Sequence, residues 1–116
     1  FDIFVTTTTA EGWGLTITEA MACGVPVIAP IHTSIKEITD GGHLVYGLWD
    51  LTPFMFIKDM EKVRYISNVK EVAKRMLDAL AELDTDYQYD LTEKARNHVL
   101  KYDWDKSAQL IFKNFK

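Results

Sequence analysis

Two apolar segments of strand length lie near the start of the chain, separated by a glycine-containing turn and a helical segment. Residues 1–5 carry a single charge, at Asp2, and residues 25–29 carry none, which is typical of strands buried on both faces of a parallel sheet. Between them, residues 16–23 place apolar side chains at helical spacing and precede Gly24, a residue type that often terminates helices. This order of elements predicts one βαβ unit.

Downstream of this unit, the sequence predicts one short helix and one further strand. Residues 33–38 fit the helix, turn residues 40–42 close it, and residues 43–46 fit the strand. Three strands are fewer than the roughly five or six of a doubly wound sheet. We therefore expect an α/β fold with a partial Rossmann-like parallel sheet and flanking helices, in which residues 1–116 form a single partial domain of a longer protein.

Three helices are predicted to complete the chain, each preceded by a residue that can cap its N-terminus. The capping residues are Asn68 with Glu71 at capping-box spacing, Asp90 with Glu93 at the same spacing, and Asp103. We place the C-terminal helix at residues 103–116. Its apolar side chains, at helical spacing, are Trp104, Ala108, Ile111 and Phe115.

The charge, the cysteine content and the apolar runs narrow the classes of protein that this chain fits. The formal net charge of -4 argues against a nucleic-acid groove, which needs clustered Lys and Arg. Cys23 is the only cysteine, so no internal disulfide or cysteine zinc site can form, and we expect it to be buried between helix and sheet. The longest apolar run, residues 20–31, is shorter than the ~20 residues that cross a bilayer. We expect a cytoplasmic protein, free or peripheral at the inner membrane face.

Several enzyme classes are disfavoured because their short motifs do not occur. The chain has no G-x-G-x-x-G, no Walker lysine loop, no H-E-x-x-H and no G-x-S-x-G. Residues 84–86 and 103–105 both spell Asp-x-Asp, but a solvated turn and a helix N-cap explain them better than a metal site. His32 could face the site, whereas His43 and His98 fit ordinary strand and helix positions.

Glu11 and Glu19 bracket a turn with two glycines at the predicted start of the first helix. If the helix begins near Leu15, the amides of residues 14–17 are its free donors, at the carboxyl edge of the sheet where ligands of open α/β folds bind. Free amides and the positive end of the helix dipole suit a diphosphate. Gly14 lets such a group approach the backbone because it has no Cβ.

The two carboxylates lie on different sides of this phosphate-binding turn. Glu19 is about one turn into the helix, where it can accept hydrogen bonds from two neighbouring hydroxyls, as acidic residues do with ribose. Glu11 precedes the turn and would face the group attached to the distal phosphate. Two isolated glutamates would be surface carboxylates, but the glycines, the helix start and the flanking strands favour a binding site. Trp13 fits packing beside the helix start better than stacking on a ligand.

Residues 11–27 resemble the Glu-x7-Glu signature of retaining glycosyltransferases with the GT-B fold, in particular family 4. The family pattern is E-G-F/W-G-L-x-x-x-E-A-M-A-x-G-x-P-V, and the chain follows it from Glu11 to Val27. Residues 37–45 are similar to the family's next block, and residues 102–108 to its last helix. The resemblance implies that this chain is the C-terminal, donor-binding part of a two-domain enzyme.

The resemblance also implies roles for individual residues. Glu19 would bind the ribose of the donor, and Glu11 would contact hydroxyls of the donor sugar near the reacting carbon. The other donor-binding positions, whose backbone would hold the diphosphate, are Gly12, Gly14, Leu15 and Thr16. No metal or other cofactor is expected. The implied reaction transfers a hexosyl group from a nucleotide-diphosphate sugar to a hydroxyl of a saccharide, lipid or other acceptor, with retention of anomeric configuration.

Parts of the family's active site have no counterpart in this chain. The N-terminal domain that holds the acceptor is absent, as is the earlier part of this domain, which in the family supplies an Arg and a Lys to neutralise the departing diphosphate. Activity is therefore expected to need these missing parts or a partner chain. The alternative is a non-catalytic nucleotide-sugar-binding or regulatory subunit, favoured by the exposed edge of residues 1–5 and by residues 46–67. A nucleotide diphosphatase ranks third, because no base for water is evident.

Residues 46–67 also differ from the family's shorter connection, and we expect an apolar loop that packs over the sheet or against the missing half. Its large apolar residues are Trp49, Phe54, Met55, Phe56 and Tyr65.

Overall fold

The computed structural model describes residues 2–55, 58 and 62–115. Its elements in chain order are β1 (Phe4–Val5), α1 (Leu15–Ala22), β2 (Val27–Pro30), α2 (Thr33–Ile38), β3 (Tyr46–Leu48), β4 (Leu51–Phe54), β5 (Arg64–Ser67), α3 (Val69–Ala81), α4 (Asp86–Val99) and α5 (Trp104–Asn114). Within the described ranges, the strands form one three-stranded and one two-stranded sheet.

The central sheet contains β1, β2 and β3 in sequence order, and both neighbouring pairs are parallel. Phe4 pairs with Val27, and Ile28 pairs with Tyr46. Parallel neighbours need a crossover connection, which α1 supplies between β1 and β2 and α2 supplies between β2 and β3. These findings confirm the predicted α/β fold with a partial Rossmann-like parallel sheet and flanking helices.

The middle strand, β2, is buried along its whole length and packs against helices on both faces. Val27 and Ala29 belong to a core cluster with residues of α1, α2 and α4. Ile28 belongs to a second cluster with Leu48 of β3 and Ala79 of α3. Each fully buried aliphatic side chain contributes about 1.5–3 kcal/mol. The middle strand therefore joins the two helical layers.

The third strand, predicted at residues 43–46, begins only at Tyr46. Residues 40–42 have positive φ angles of 51°, 68° and 90°, so the backbone turns sharply after α2. The amide of Leu44 then donates a hydrogen bond to the carbonyl of Thr39 at 3.2 Å. Because residues 39–44 form this closed turn, the chain becomes a strand only after it. The predicted start of the strand is therefore wrong.

A β-hairpin occupies much of the segment that the sequence predicted as a loop, residues 46–67. β4 and β5 pair in antiparallel orientation, with Leu51 opposite Ser67. The expectation of a loop is wrong because the two segments pair with each other, and an edge strand tolerates Pro53, which lacks an amide hydrogen. Phe56, part of the predicted apolar set, lies outside the described residues.

Asn68 caps α3 as predicted, because its Oδ1 accepts hydrogen bonds from the amides of Lys70 and Glu71 at 2.8 and 3.4 Å. The reciprocal half of the predicted capping box is wrong. The Glu71 carboxylate instead accepts hydrogen bonds from the amides of Trp49 and Asp50 at 3.0 and 2.8 Å. The amide of Asn68 donates to the carbonyl of Asp50 at 3.0 Å. The start of α3 is thus tied to the chain that leaves β3.

The fourth helix starts earlier than its predicted cap. Thr85 is the N-cap of α4, and its hydroxyl accepts a hydrogen bond from the amide of Gln88 at 3.3 Å. Asp90, the predicted cap, lies inside the helix and forms an ion pair with Lys94 at 2.6 Å. Its spacing to Glu93 therefore marks two positions inside α4 and no helix start.

The last helix, α5, has the predicted cap but exposes its apolar side chains. Asp103 Oδ1 accepts a hydrogen bond from the amide of Asp105 at 2.8 Å. Trp104 and Phe115 are 82% and 83% exposed, and no residue of α5 is buried by the described part of the chain. The apolar stripe of this helix is therefore left exposed by the described part of the chain.

Cys23 is exposed, which contradicts its predicted burial. It forms the C-cap of α1 and follows the buried Met21 by two residues. Two residues correspond to about 200° of rotation around a helix, so the two side chains point to opposite sides. The spacing that buries Met21 thus turns the thiol away from the sheet.

Gly14 is the N-cap of α1 and adopts a left-handed conformation with a φ angle of 85°. A Cβ atom at this position would lie 3.2 Å from Cδ1 of Ile38 and 3.4 Å from Cδ1 of Ile17. The backbone conformation and the close packing of α1 on α2 therefore both require glycine. Gly12 differs, because its φ is not positive and no described atom lies within 4 Å of the site of its Cβ.

The outer edge of β3 is covered by side chains from α3 and α4. Nε of Arg75 donates a hydrogen bond to the carbonyl of Gly47 at 3.2 Å. The hydroxyl of Tyr46 donates to Glu82 at 2.6 Å and accepts from Gln88 Nε2 at 3.5 Å. Burial raises the pKa of Tyr46 to about 12, and the hydrogen bond to Glu82 adds to the rise.

We expect Gly14→Ala to lower the free energy of unfolding by about 1–2 kcal/mol, because alanine is strained in the left-handed region and would contact Ile38. Urea unfolding measures this change. Gly12→Ala is the matched control and should leave stability within about 0.5 kcal/mol of the wild type. Equal losses for the two variants would contradict the requirement for glycine at position 14.

We expect Tyr46→Phe to lower the free energy of unfolding by about 1 kcal/mol, because it removes the hydroxyl between α3 and α4. The pKa of Tyr46 is higher in the folded state than its usual 10.0. The stabilisation is therefore fully present below pH 10 and is lost as the pH rises towards 12. Urea unfolding across this range should show the difference between wild type and variant shrinking, and the exposed Tyr89→Phe should show no such trend.

Candidate functional site

The loop after β1 and the start of α1 lie at the carboxyl edge of the central sheet. Because β1 and β2 are parallel, the first turn of α2 begins at the same edge. The predicted positions from Glu11 to Thr16 are all in this loop and the first turn of α1, and Glu19 lies one turn further. The structure therefore gathers the predicted residues at one end of the sheet.

The N-terminus of α1 carries no side-chain cap. The carbonyl of Gly14 accepts hydrogen bonds from the amides of Ile17 and Thr18 at 3.0 and 3.1 Å, so the first turn is formed. The amides of Leu15 and Thr16 precede these and have no acceptor within the helix. With no acidic residue in the first turn, the positive end of the helix dipole is left for an anion.

Glu11 is held through its backbone by the first turn of α2. Its amide donates a hydrogen bond to the Thr33 hydroxyl at 3.4 Å, and its carbonyl accepts one from the Ser34 hydroxyl at 3.2 Å. The residue is half-buried. The backbone of Glu11 is therefore held by α2, which is more than twenty residues away in sequence.

His32, the N-cap of α2, lies beneath this loop and is only 5% exposed. Its Nε2 is 2.9 Å from the carbonyl of Thr8, and its Nδ1 is 3.0 Å from the hydroxyl of Thr33. The ring stacks on Tyr65 of β5, with centroids 5.1 Å apart and planes inclined by 16°. The amide of Tyr65 also donates to the carbonyl of Thr9 at 2.9 Å. The hairpin thus packs against the loop that carries Glu11.

Glu19 is exposed and lines a groove of about 770 Å³ between α1, the end of α4 and the start of α5. Asp103 and Asp105 line the same groove. No Lys or Arg occurs among its described lining residues. Three carboxylates without a basic partner suit hydroxyl groups, which donate hydrogen bonds, better than phosphate oxygens.

Trp13 packs within the protein, as its position before the helix predicted. Its indole meets the ring of Tyr102 edge to face, with centroids 4.8 Å apart and planes at 90°. Tyr102 follows α4, so this contact joins the start of α1 to the end of α4. The indole also forms part of the groove wall beside Leu15.

A second cavity, of about 320 Å³, lies along the outer edge of β3. Its described lining includes Trp49, Arg75, Asp78 and Glu82 and none of the predicted site residues. It is therefore separate from the site at the start of α1.

Neither Asp-x-Asp segment forms a metal site in the structure. Residue 84 ends a turn, residue 85 caps α4, and residue 103 caps α5. Across residues 2–55, 58 and 62–115, no group of three or more His, Cys, Asp or Glu side chains could hold a metal ion. Over the same residues, no helix is both long and apolar enough to cross a membrane.

The sequence analysis did not predict most of the residues that support the loop carrying Glu11. Thr33 and Ser34 were not predicted to contact Glu11, and Tyr65 was assigned to an apolar loop. His32 was expected only to face the site. The position of His32, Thr33 and Ser34 directly after β2 is a usable signal, because the carboxyl ends of adjacent parallel strands lie side by side.

The chain matches the family model of the glycosyl transferases group 1 over residues 1–82. This range includes the central sheet, the loop with Glu11, the start of α1 and the hairpin. No curated protein and no solved structure gave a significant match. Because the match covers well over half of the 116 residues, the chain belongs to the glycosyl transferases group 1 family.

Proposed function

We propose that this chain supplies part of the donor site of a retaining glycosyltransferase of the GT-B fold and family 4. The enzyme transfers a hexosyl group from a nucleotide-diphosphate sugar to an acceptor hydroxyl. The observation that carries the proposal is the uncapped N-terminus of α1 at the carboxyl edge of the sheet, with Glu11 in the loop before it and Glu19 one turn into the helix.

The diphosphate of the donor binds at the first turn of α1. The amides of Leu15 and Thr16 donate hydrogen bonds to its oxygens, and the helix dipole favours its negative charge. The absence of a Cβ on Gly12 and Gly14 lets the phosphates come close to the backbone. These interactions strengthen as the leaving group gains charge, so they assist departure of the nucleoside diphosphate.

The ribose lies beside Glu19, whose carboxylate accepts hydrogen bonds from its two hydroxyls. The helix rises about 1.5 Å per residue, so Glu19 is about 6 Å along the axis from Leu15. This separation matches the step from a diphosphate to the adjoining sugar ring. The groove that Glu19 lines provides room for the nucleoside.

The transferred sugar lies on the opposite side of the diphosphate, next to Glu11. The carboxylate of Glu11 accepts hydrogen bonds from sugar hydroxyls and stabilises the positive charge that develops at the reacting carbon. The acceptor hydroxyl attacks from the face that the diphosphate leaves, so the anomeric configuration is retained. The hydrogen bonds that attach the Glu11 backbone to α2 support this role, because electrostatic stabilisation requires groups that are already in place.

Positive charge for the diphosphate comes in this proposal from Arg and Lys side chains outside this chain, in the earlier part of the same domain or in a partner chain. The described lining of the groove contains carboxylates and no Lys or Arg. The N-terminal domain or a partner chain holds the acceptor, which is a saccharide, a lipid or another hydroxyl compound. No metal takes part. Turnover by the intact protein would exclude the alternative of a non-catalytic nucleotide-sugar-binding subunit.

We expect Glu19→Gln in the intact protein to raise the dissociation constant of the preferred nucleoside diphosphate about tenfold, because the ribose loses a charged hydrogen-bond acceptor. Isothermal titration calorimetry with UDP, GDP and ADP measures this. Asp40→Asn is the control, since it removes the same charge from an exposed turn before β3. An unchanged dissociation constant for Glu19→Gln would remove Glu19 from the donor site.

We expect Glu11→Gln to lower kcat about 100-fold while the dissociation constant of the nucleoside diphosphate changes less than about twofold, because the carboxylate acts on the sugar. Steady-state kinetics and calorimetry on the same preparation separate the two effects. The anomeric configuration of the wild-type product, determined by NMR, tests retention. A Glu11→Gln enzyme with full turnover would remove Glu11 from the mechanism.

A further inference from the structure

We propose that His32 is a positioning residue that fixes the loop carrying Glu11, acting together with Thr33 and Tyr65. The inference rests on the proposed role of Glu11 in glycosyl transfer. His32 reaches no substrate in this arrangement, because it is buried under the loop. It acts on the reaction by holding the backbone from which Glu11 extends.

The partners of the His32 ring determine which nitrogen carries the proton in the neutral form. The carbonyl of Thr8 can only accept a hydrogen bond, so Nε2 at 2.9 Å must be the donor. Nδ1 is then an acceptor, and the Thr33 hydroxyl at 3.0 Å donates to it. One ring thus binds the loop directly and orients the neighbouring hydroxyl.

The Thr33 hydroxyl extends this chain of hydrogen bonds to Glu11. Its hydrogen points to His32, so its oxygen is free to accept the amide hydrogen of Glu11 at 3.4 Å. Thr33 has a φ angle of 44°, a conformation that costs energy for a β-branched residue. The surrounding contacts therefore maintain a strained residue at the point where α2 touches the loop.

Tyr65 closes the arrangement from the hairpin. Its ring covers one face of the His32 imidazole, and its amide binds the carbonyl of Thr9. Backbone groups of Thr8, Thr9 and Glu11 are thus all held from outside the loop. A histidine that only filled the core would bond to groups of the core, whereas His32 bonds to the loop directly through Thr8 and indirectly through Thr33, which binds Glu11.

The test compares variants in the intact transferase with the donor sugar that supports turnover. His32→Ala removes both hydrogen bonds and should lower kcat about 10–100-fold, because small displacements of a reacting geometry have effects of this size. The dissociation constant of the nucleoside diphosphate should change less than about twofold, because α1 and Glu19 are not attached to His32. His32→Gln offers an amide nitrogen at the place of Nε2 and should recover part of the lost turnover.

Thr33 provides a pair of variants that leave the core intact. Thr33→Val has the same shape but no hydroxyl, so it should lower kcat in the same direction as His32→Ala. Thr33→Ser keeps the hydroxyl and should recover most of the turnover that Thr33→Val loses. His43→Ala controls for loss of a histidine, because His43 is exposed in the turn before β3.

The outcomes separate this inference from the proposed function. If Glu11→Gln leaves kcat unchanged, the proposed function fails, and the positioning role fails with it. If Glu11→Gln lowers kcat but Thr33→Val retains the kcat of Thr33→Ser, the positioning role is overturned and the proposed function stands. Loss of nucleotide affinity in parallel with kcat in the His32 and Thr33 variants would also overturn it, since that pattern indicates general disruption of the site.

Discussion

Parallel pairing of β1 with β2 is the interaction on which the candidate site depends. The register that sets Phe4 beside Val27 brings the ends of both strands to one edge. The loop after β1 therefore meets the first turn of α2, and Glu11 gains backbone partners at Thr33 and Ser34. Without this register, the residues that flank the start of α1 would still be adjacent in sequence but would have no fixed orientation.

Local signals in the sequence were sufficient for much of the fold. The glycine turn, the helix after it and the buried β2 depend on residues within a few positions of one another, and the caps at Asn68 and Asp103 do so as well. The predictions of the capping box and of the third strand's start were wrong, because hydrogen bonds that the local spacing does not show decided both. Glu71 has capping-box spacing but binds the backbone that follows β3, and the turn after α2 postponed the third strand.

The candidate site likewise has residues that the sequence predicts and residues that only the fold brings together. Glu11, Gly14 and Glu19 occur in one contiguous motif, so their grouping could be predicted without knowledge of the sheet. The groups that hold the loop come from the turn after β2 and from the hairpin, and their approach depends on strand register. Tyr65 could not be assigned from sequence because its position depends on the pairing of β4 with β5, which neither segment shows by itself.

The hydrogen bond between Arg75 and the carbonyl of Gly47 affects whether strands of other molecules can pair with β3. β3 is the last strand of the central sheet, and an unprotected edge strand is a template for pairing with strands of other molecules. A guanidinium group on an outward carbonyl occupies the acceptor that such a strand would need and places a charge in its path. The edge is thereby protected against the strand addition that leads to aggregation.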